Sequence, residues 1–329
     1  MATYVLDSSK TARLPRGPLA ASLTTSDAGI RARITTRSDS GAPVRTVPSG
    51  PQMVILPAIS EPTTIGAVPE AGLDRFAPGT VLHLSLTPEG ALATGGDTAA
   101  LAPRDVSGLA FVNLATVAPQ PDGLLQITTL LAVQDTALPP VAHAARIAAR
   151  GVLGVDHVRS SSELDVRCIV DVSTSMAAAF GQNAVAACAD VVAGVAAVIS
   201  PDSRVDFLAP VPGATGFSSV SQAELGDRAG VVPDVGLGLS PDLRPGLRHP
   251  VTGATLTVVI TDGPGTYAAS DSPGNHLVAV TVSDSTVRNS PTCALRGDDA
   301  RARLAHDSAA VSALVTGLLD PLRSRGLLA

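Results

Sequence analysis

The chain has no tryptophan, two tyrosines, five phenylalanines and a single lysine, Lys10, in 329 residues. Aromatics at 2% against 45% hydrophobic residues mean that any core must be assembled from Val, Leu, Ile and Ala. No basic run or arginine–aromatic interleaving interrupts the net charge of −6, so a nucleic-acid surface is not expected. The longest apolar run, Ala184 to Ile199, is broken by Asp190 and is too short to span a bilayer, so no membrane partner is expected. Met1-Ala2-Thr3-Tyr4 is not a basic stretch leading into an apolar one, and the expectation is a soluble cytoplasmic protein. Only three cysteines occur, Cys168, Cys188 and Cys293, without metal-ligand spacing, which reads as small buried hydrophobes in a reducing compartment.

What is abundant is punctuation. Thirty glycines and 26 prolines are spread along the chain, favouring many turns and short elements. Residues 1–150 read as a mostly β domain, a sandwich or barrel, of no assigned role. Its candidate strands are Ile30–Thr36, Met53–Ile59, Val81–Thr87, Leu109–Thr116 and Leu124–Val133, separated by turns such as Ser38-Asp39-Ser40-Gly41 and Pro88-Glu89-Gly90. Nothing in this half groups catalytically, and His83 reads as structural. A helix over Val141–Arg150 follows, and 151–163, with its serine cluster, reads as a linker.

From Leu164 strands alternate with helices. Val166–Val170, Val205–Ala209, Leu256–Ile260 and His276–Val282 read as buried strands. Met176, Phe180, Ala184, Cys188, Val191, Val195 and Val198 recur at helical spacing, with Gln182, Asn183 and Asp190 assigned to the wet side. A last helix begins near Asp307, with Val311, Leu314, Val315, Leu318 and Leu322 as its apolar stripe. The fold class is therefore α/β: a doubly wound, mainly parallel C-terminal sheet over 164–329, covered on both faces, behind the β domain.

The chemistry concentrates in two turns. Asp171-Val172-Ser173-Thr174-Ser175 joins the first buried strand to the first helix, bringing one carboxylate and two hydroxyls to the carboxyl end of a strand, where such folds bind ligands. Thr261-Asp262-Gly263 brings another carboxylate to the end of a later strand. Hard oxygens of this kind suit one Mg²⁺ (or Mn²⁺) ion, which prefers near-octahedral oxygen coordination and keeps several waters. Two carboxylates would roughly neutralise it, leaving a water position open to a carboxylate from another molecule. Taken singly, each turn also has a plainer reading, Ser173 or Ser175 as a helix N-cap and Asp262-Gly263 as an ordinary turn.

D-x-S-x-S after a first buried strand and T-D-G after a later one resemble the metal-ion-dependent adhesion site (MIDAS) of von Willebrand factor A (vWA) domains, over about residues 164–329. The resemblance implies a strand order 3-2-1-4-5-6, which sets Asp171 and Asp262 side by side, with Asp171, Ser173, Ser175 and Asp262 as metal ligands. It also implies a protein-interaction module, not an enzyme, that grips an acidic residue of a protein partner through the metal, as intracellular bacterial members do beside ATPases and assembly machines. The middle-loop threonine that the resemblance calls for is Pro233 here, with Asp234 beside it as a substitute oxygen donor. The sequence leaves open a metal-free scaffold and the oligomeric state. A Mg²⁺-dependent phosphotransferase of the haloacid dehalogenase type is disfavoured: Ser173 replaces its second aspartate, and no lysine lies downstream. No G-x-S-x-G elbow and no P-loop is present.

Overall fold

Along Val81–Thr87 and Leu124–Thr129 every second side chain is buried, the signature of strands with one face on a core and one outside it. The computed structural model describes residues 3–7, 10–26, 32–42, 44–50, 52–90, 96–130, 137–158, 161, 163–200, 202–210, 216–234, 236–239, 243–263, 274–284 and 290–328. The chain divides into two units, Met1–Asp135 and Thr136–Ala329. The helix at residue 140 and the segment 151–163 read as a linker therefore both lie inside the second unit.

Strands of the first unit are β1 (Thr3–Leu6), β2 (Thr11–Pro15), β3 (Leu19–Thr25), β4 (Ala32–Ser38), β5 (Val47–Gly50), β6 (Met53–Leu56), β7 (Thr63–Pro69), β8 (Val81–Pro88), β9 (Thr98–Leu101), β10 (Arg104–Asp105), β11 (Val112–Pro119) and β12 (Leu124–Thr129). One sheet runs β1-β9-β8-β3-β6-β5 with β10 on β8, and the other runs β2-β12-β11-β7-β4. All pairs are antiparallel except β1 with β9. Leu19, Leu23 and Leu86 from the first sheet share one apolar cluster with Leu14, Ile65 and Ile127 from the second, so the two sheets enclose a common core without any aromatic strand residue. The five strands expected here are present with shifted ends; residues 30–31 and 131–133 of the expected spans lie outside the described residues. β1, β2, β3, β5, β7, β9 and β10 were not expected, being short or rich in the Ala, Pro, Gly and Thr that hide the alternation.

The second unit is α1 (Pro140–Leu153), β13 (Asp165–Val170), α2 (Ala177–Gly181), α3 (Ala184–Ile199), β14 (Arg204–Leu208), β15 (Ser218–Ser221), α4 (Leu225–Ala229), α5 (Arg244–Leu247), β16 (Thr255–Thr261), β17 (Asn275–Ser283), β18 (Thr292–Ala294), α6 (Ala300–Leu304) and α7 (Ser308–Arg323). Its sheet runs β15-β14-β13-β16-β17-β18, the unit's strands in the order 3-2-1-4-5-6. Every pair is parallel except β14 with β15. Taken together, the chain is mixed α/β, with two largely antiparallel sheets in one unit and a mainly parallel sheet in the other.

Helix α3 is the centre of the second unit. Cys168 and Val170 of β13 face its cluster, while Ile169, Leu208 and Val259 form a smaller cluster on the opposite sheet face with Leu243 and Leu247. On its far side α3 meets α1 so closely that a Cβ on Gly194 would stand 2.2 Å from the Ala142 carbonyl oxygen. A helix enclosed on both sides is apolar all round, and every α3 residue but Ala197 is buried. This corrects the sequence reading of Asp190 as a wet-face residue: it is fully buried, and Arg301 reaches it. The continuous helix expected from Met176 to Val198 is also divided. A 3₁₀ turn (Thr174–Met176) and α2 end at Gln182, Asn183 takes a left-handed φ of 53°, and α3 leaves at 76°.

Helix α7 starts where expected, with Asp307 accepting from the Ala310 N–H at its N-cap. Among the described residues no single helix is long and apolar enough to cross a membrane; the bent pair Thr174–Gly181 and Ala184–Ile199 passes only by length and composition, and its longer arm is the core helix α3.

Candidate functional site

Parallel pairing of β13 with β16 brings two turns together. Val170 stands opposite Ile260, and the Asp171 N–H continues the ladder to the Ile260 carbonyl at 2.8 Å. Asp171 is thus the first residue beyond β13 and lies beside Thr261, the last of β16. Thr261 Oγ1 donates to Asp171 Oδ2 at 2.9 Å, and the Ser173 N–H donates to Asp171 Oδ1 at 2.8 Å. The carboxylate, 7% exposed, is held at both oxygens. Each oxygen retains acceptor capacity, because an ionised carboxylate offers about four lone-pair sites.

Ser173 is extended (φ −70°, ψ 157°) at the N-cap of the 3₁₀ turn, yet its side chain makes no cap hydrogen bond. Its hydroxyl instead lies 2.9 Å from that of Ser175. The helix-capping reading of these serines is therefore not what the hydroxyls do. Ser173 is buried with Asp171, while Ser175 is exposed at the rim. Asp262 is half-buried and immediately follows Thr261, whose Oγ1 also accepts from the Gly263 N–H at 3.3 Å.

A third segment joins through its backbone. Gly238 donates to the Val172 carbonyl at 2.9 Å, and its own carbonyl accepts from the Thr174 N–H at 2.7 Å and the Thr174 hydroxyl at 3.0 Å. The loop carrying Pro233 and Asp234 is anchored to the D-x-S-x-S turn in this way, a role for Gly238 that no residue pattern signals. Asp234 itself lies apart. It is exposed, follows Pro233 in a tight turn closed by Gly236, and lines a cavity of about 340 Å³ over the end of β14 with Arg228, Val231, Val232 and Phe207.

Asp171, Ser173 and Ser175 are thus drawn into one hydrogen-bonded group, with Asp262 in the adjoining turn and Asp234 outside it. The donors are hydroxyls beside carboxylates; among the described residues no three His, Cys, Asp or Glu side chains gather. The described arginine–aspartate pairs of this unit engage Asp156, Asp190, Asp206, Asp227, Asp298 and Asp320, and none neutralises Asp171 or Asp262. A negative charge so little exposed is costly unless a cation or further donors meet it, and a small hard cation fits an oxygen set of this kind. Comparison of the chain with models of known protein families, with curated proteins and with solved structures gives no match in any of the three.

Proposed function

We propose that the unit Thr136–Ala329 is a von Willebrand factor A-like interaction module that holds one Mg²⁺ (or Mn²⁺) ion with Asp171, Ser173, Ser175 and Asp262. Through that ion it grips a carboxylate of a protein partner, and it acts by binding, without catalysis. The observation that carries this reading is the 2.9 Å hydrogen bond from Thr261 to Asp171, which ties together turns 90 residues apart. The strand order 3-2-1-4-5-6 supports it as well, since ligands of open α/β sheets collect where the order reverses, here between β13 and β16. When bound, the ion supplies a Lewis-acidic position that an incoming carboxylate can occupy. Asp171 supplies charge, Thr261 and the Ser173 N–H fix that carboxylate's orientation, and the paired hydroxyls of Ser173 and Ser175 supply neutral oxygens.

Three observations favour a second reading, a metal-free scaffold binding partners by ordinary surface contacts. The serine hydroxyls satisfy each other, Asp171 is bonded at both oxygens, and Pro233 brings no hydroxyl. Thermal melts of the full chain with increasing Mg²⁺ or Mn²⁺ separate the two. The adhesion-site reading expects a Tm that rises with the logarithm of ion concentration above Kd, about 2.7 kcal/mol of stabilisation at a hundredfold excess, which Asp171→Ala abolishes. A wild-type Tm indifferent to both ions ends the metal reading and leaves the scaffold.

A further inference from the structure

Among the described residues of the second unit, the large hydrophobic side chains that stand well exposed all belong to one loop: Val231 (62%), Val232 (43%) and Leu239 (97%). Scattered exposed apolar residues are ordinary on a protein surface, whereas their concentration in one place marks an interaction site. The loop is firmly tied where it passes the candidate site. Leu237 packs on the main core cluster, and Gly238 is bonded to the backbone of Val172 and Thr174 in the D-x-S-x-S turn. Leu239 is therefore held next to that turn with its side chain almost wholly in solvent.

Val231 and Val232 line the cavity of about 340 Å³ at the end of β14, over the buried side chains of Phe207 and Leu208. β14 is the strand beside β13, with Leu208 opposite Ile169, and paired strands lie about 4.8 Å apart. The cavity thus occupies the same carboxyl edge of the sheet as Asp171, one strand away. Two charged residues, Arg228 and Asp234, complete its lining. The exposed Arg228 guanidinium pairs with no carboxylate among the described residues.

We propose that this cavity is a second contact for the same partner, taking one branched aliphatic side chain of an extended acidic segment whose carboxylate reaches the ion held by Asp171. The inference rests on the adhesion-site reading and names the chemistry of the segment that the site selects. Charge assigns the two contacts. Arg228 draws a negatively charged segment toward this edge, while Asp234 repels a carboxylate from the cavity itself, so the acid goes to the ion and the aliphatic group to Val231, Val232 and Phe207. Side chains on one face of an extended chain recur every second residue, about 7 Å apart, which places the aliphatic residue two or four positions from the acid.

The test selects a random dodecapeptide display library on the immobilised full chain in Mg²⁺. Expected is a consensus of Asp or Glu with Leu, Ile or Val two or four positions away. A synthetic peptide of that consensus should lose about 10- to 50-fold in affinity when its aliphatic residue becomes alanine. The double variant Val231→Ser, Val232→Ser should bind both peptides alike while keeping the Mg²⁺-dependent rise in Tm. No consensus, an acidic consensus without the aliphatic residue, or an aliphatic preference that the double variant retains overturns the proposal. An aliphatic consensus without the acid overturns it too. The melts then tell the two failures apart: a Tm indifferent to Mg²⁺ and Mn²⁺ puts the error in the adhesion-site reading, and a Tm that responds puts it in the pairing of cavity with ion.

Discussion

Asp190, fully buried in α3, is held by Arg301 through two guanidinium nitrogens at 2.6 and 3.2 Å, and Arg301 also pairs with the exposed Asp227. The side chain leaves no room for anything else: a Cβ on Gly226 would stand 2.0 Å from Asp190 Oδ1. Truncating one partner of a buried pair leaves an uncompensated charge, at a cost of about 3–5 kcal/mol. Arg301→Ala should lower stability by that order in urea melts, and Asp227→Ala by far less. Equal small losses in the two variants would show that Arg301 contributes little to burying Asp190.

The same pair fixes the sign of a pH effect. Burial pushes the Asp190 carboxyl up, although Arg301 and its hydrogen bonds oppose the shift. A carboxyl with a higher pKa folded than unfolded binds the extra proton in the native state, so its contribution to stability falls as pH rises through the raised value. Arg301→Ala removes the opposing cation and should enlarge this effect, so the variant regains part of its lost stability on acidification from neutral pH. A deficit relative to wild type that grows as pH falls toward 5 refutes the assignment.

Packing of α1 on α3 gives a cleaner mechanical test. Gly194→Ala drives a methyl group into backbone, the Ala142 carbonyl oxygen at 2.2 Å, where no side-chain rotation relieves it. Overpacking of this kind costs about 1–3 kcal/mol, whereas Gly263→Ala meets nothing within 4 Å and should change stability by less than half a kcal/mol, about the scale of neutral surface changes. Urea melts of the two variants check the contrast.

Much of the second unit could be read from residue order because its strands are short, continuous and β-branched. β13, β14, β16 and β17 lie within a residue or so of their expected spans. β15 (Ser-Ser-Val-Ser) and β18 (Thr-Cys-Ala) could not be read, since each owes its strand state to a neighbour's hydrogen bonds and not to its own pattern. The apolar spacing from Met176 to Val198 predicted a helix but not its break at Asn183, and it gave Asp190 a wet face that a helix buried all round does not have. At the site, the D-x-S-x-S residues were legible as a motif, while the Thr261 hydrogen bond depends on β13 and β16 being neighbours, which only the resemblance implied, and the Gly238 backbone bridge depends on a loop that no local pattern places.

Thr261 offers a test of how the candidate site is held. Its buried hydroxyl donates to Asp171 and accepts from the Gly263 N–H, so Thr261→Val keeps the shape and removes both contacts. Loss of these hydrogen bonds should cost about 1–2 kcal/mol of stability. If Asp171 serves a bound ion, loss of its orienting partner should weaken Mg²⁺ or Mn²⁺ by roughly 10- to 100-fold. Isothermal titration of both proteins measures this; unchanged affinity in a variant of normal stability would separate Thr261 from the site.

Asp234 is the residue on which the motif and the geometry part. It was a candidate ligand because it sits beside the Pro233 that replaces a hydroxyl, but it is exposed and lines the cavity over β14 with Arg228 and Val231, and no hydrogen bond among the described residues links it to Asp171, Ser173 or Ser175. A ligand supplies its charge directly to the ion, so neutralising one weakens binding severely, whereas neutralising an exposed carboxylate outside the shell acts only through screened attraction. If the proposed site binds Mg²⁺, Asp234→Asn should therefore leave the rise in Tm almost intact while Asp171→Asn and Asp262→Asn remove it. If Asp234→Asn removes it as well, the loop must close over the ion when it binds, and the set of ligands grows to include Asp234.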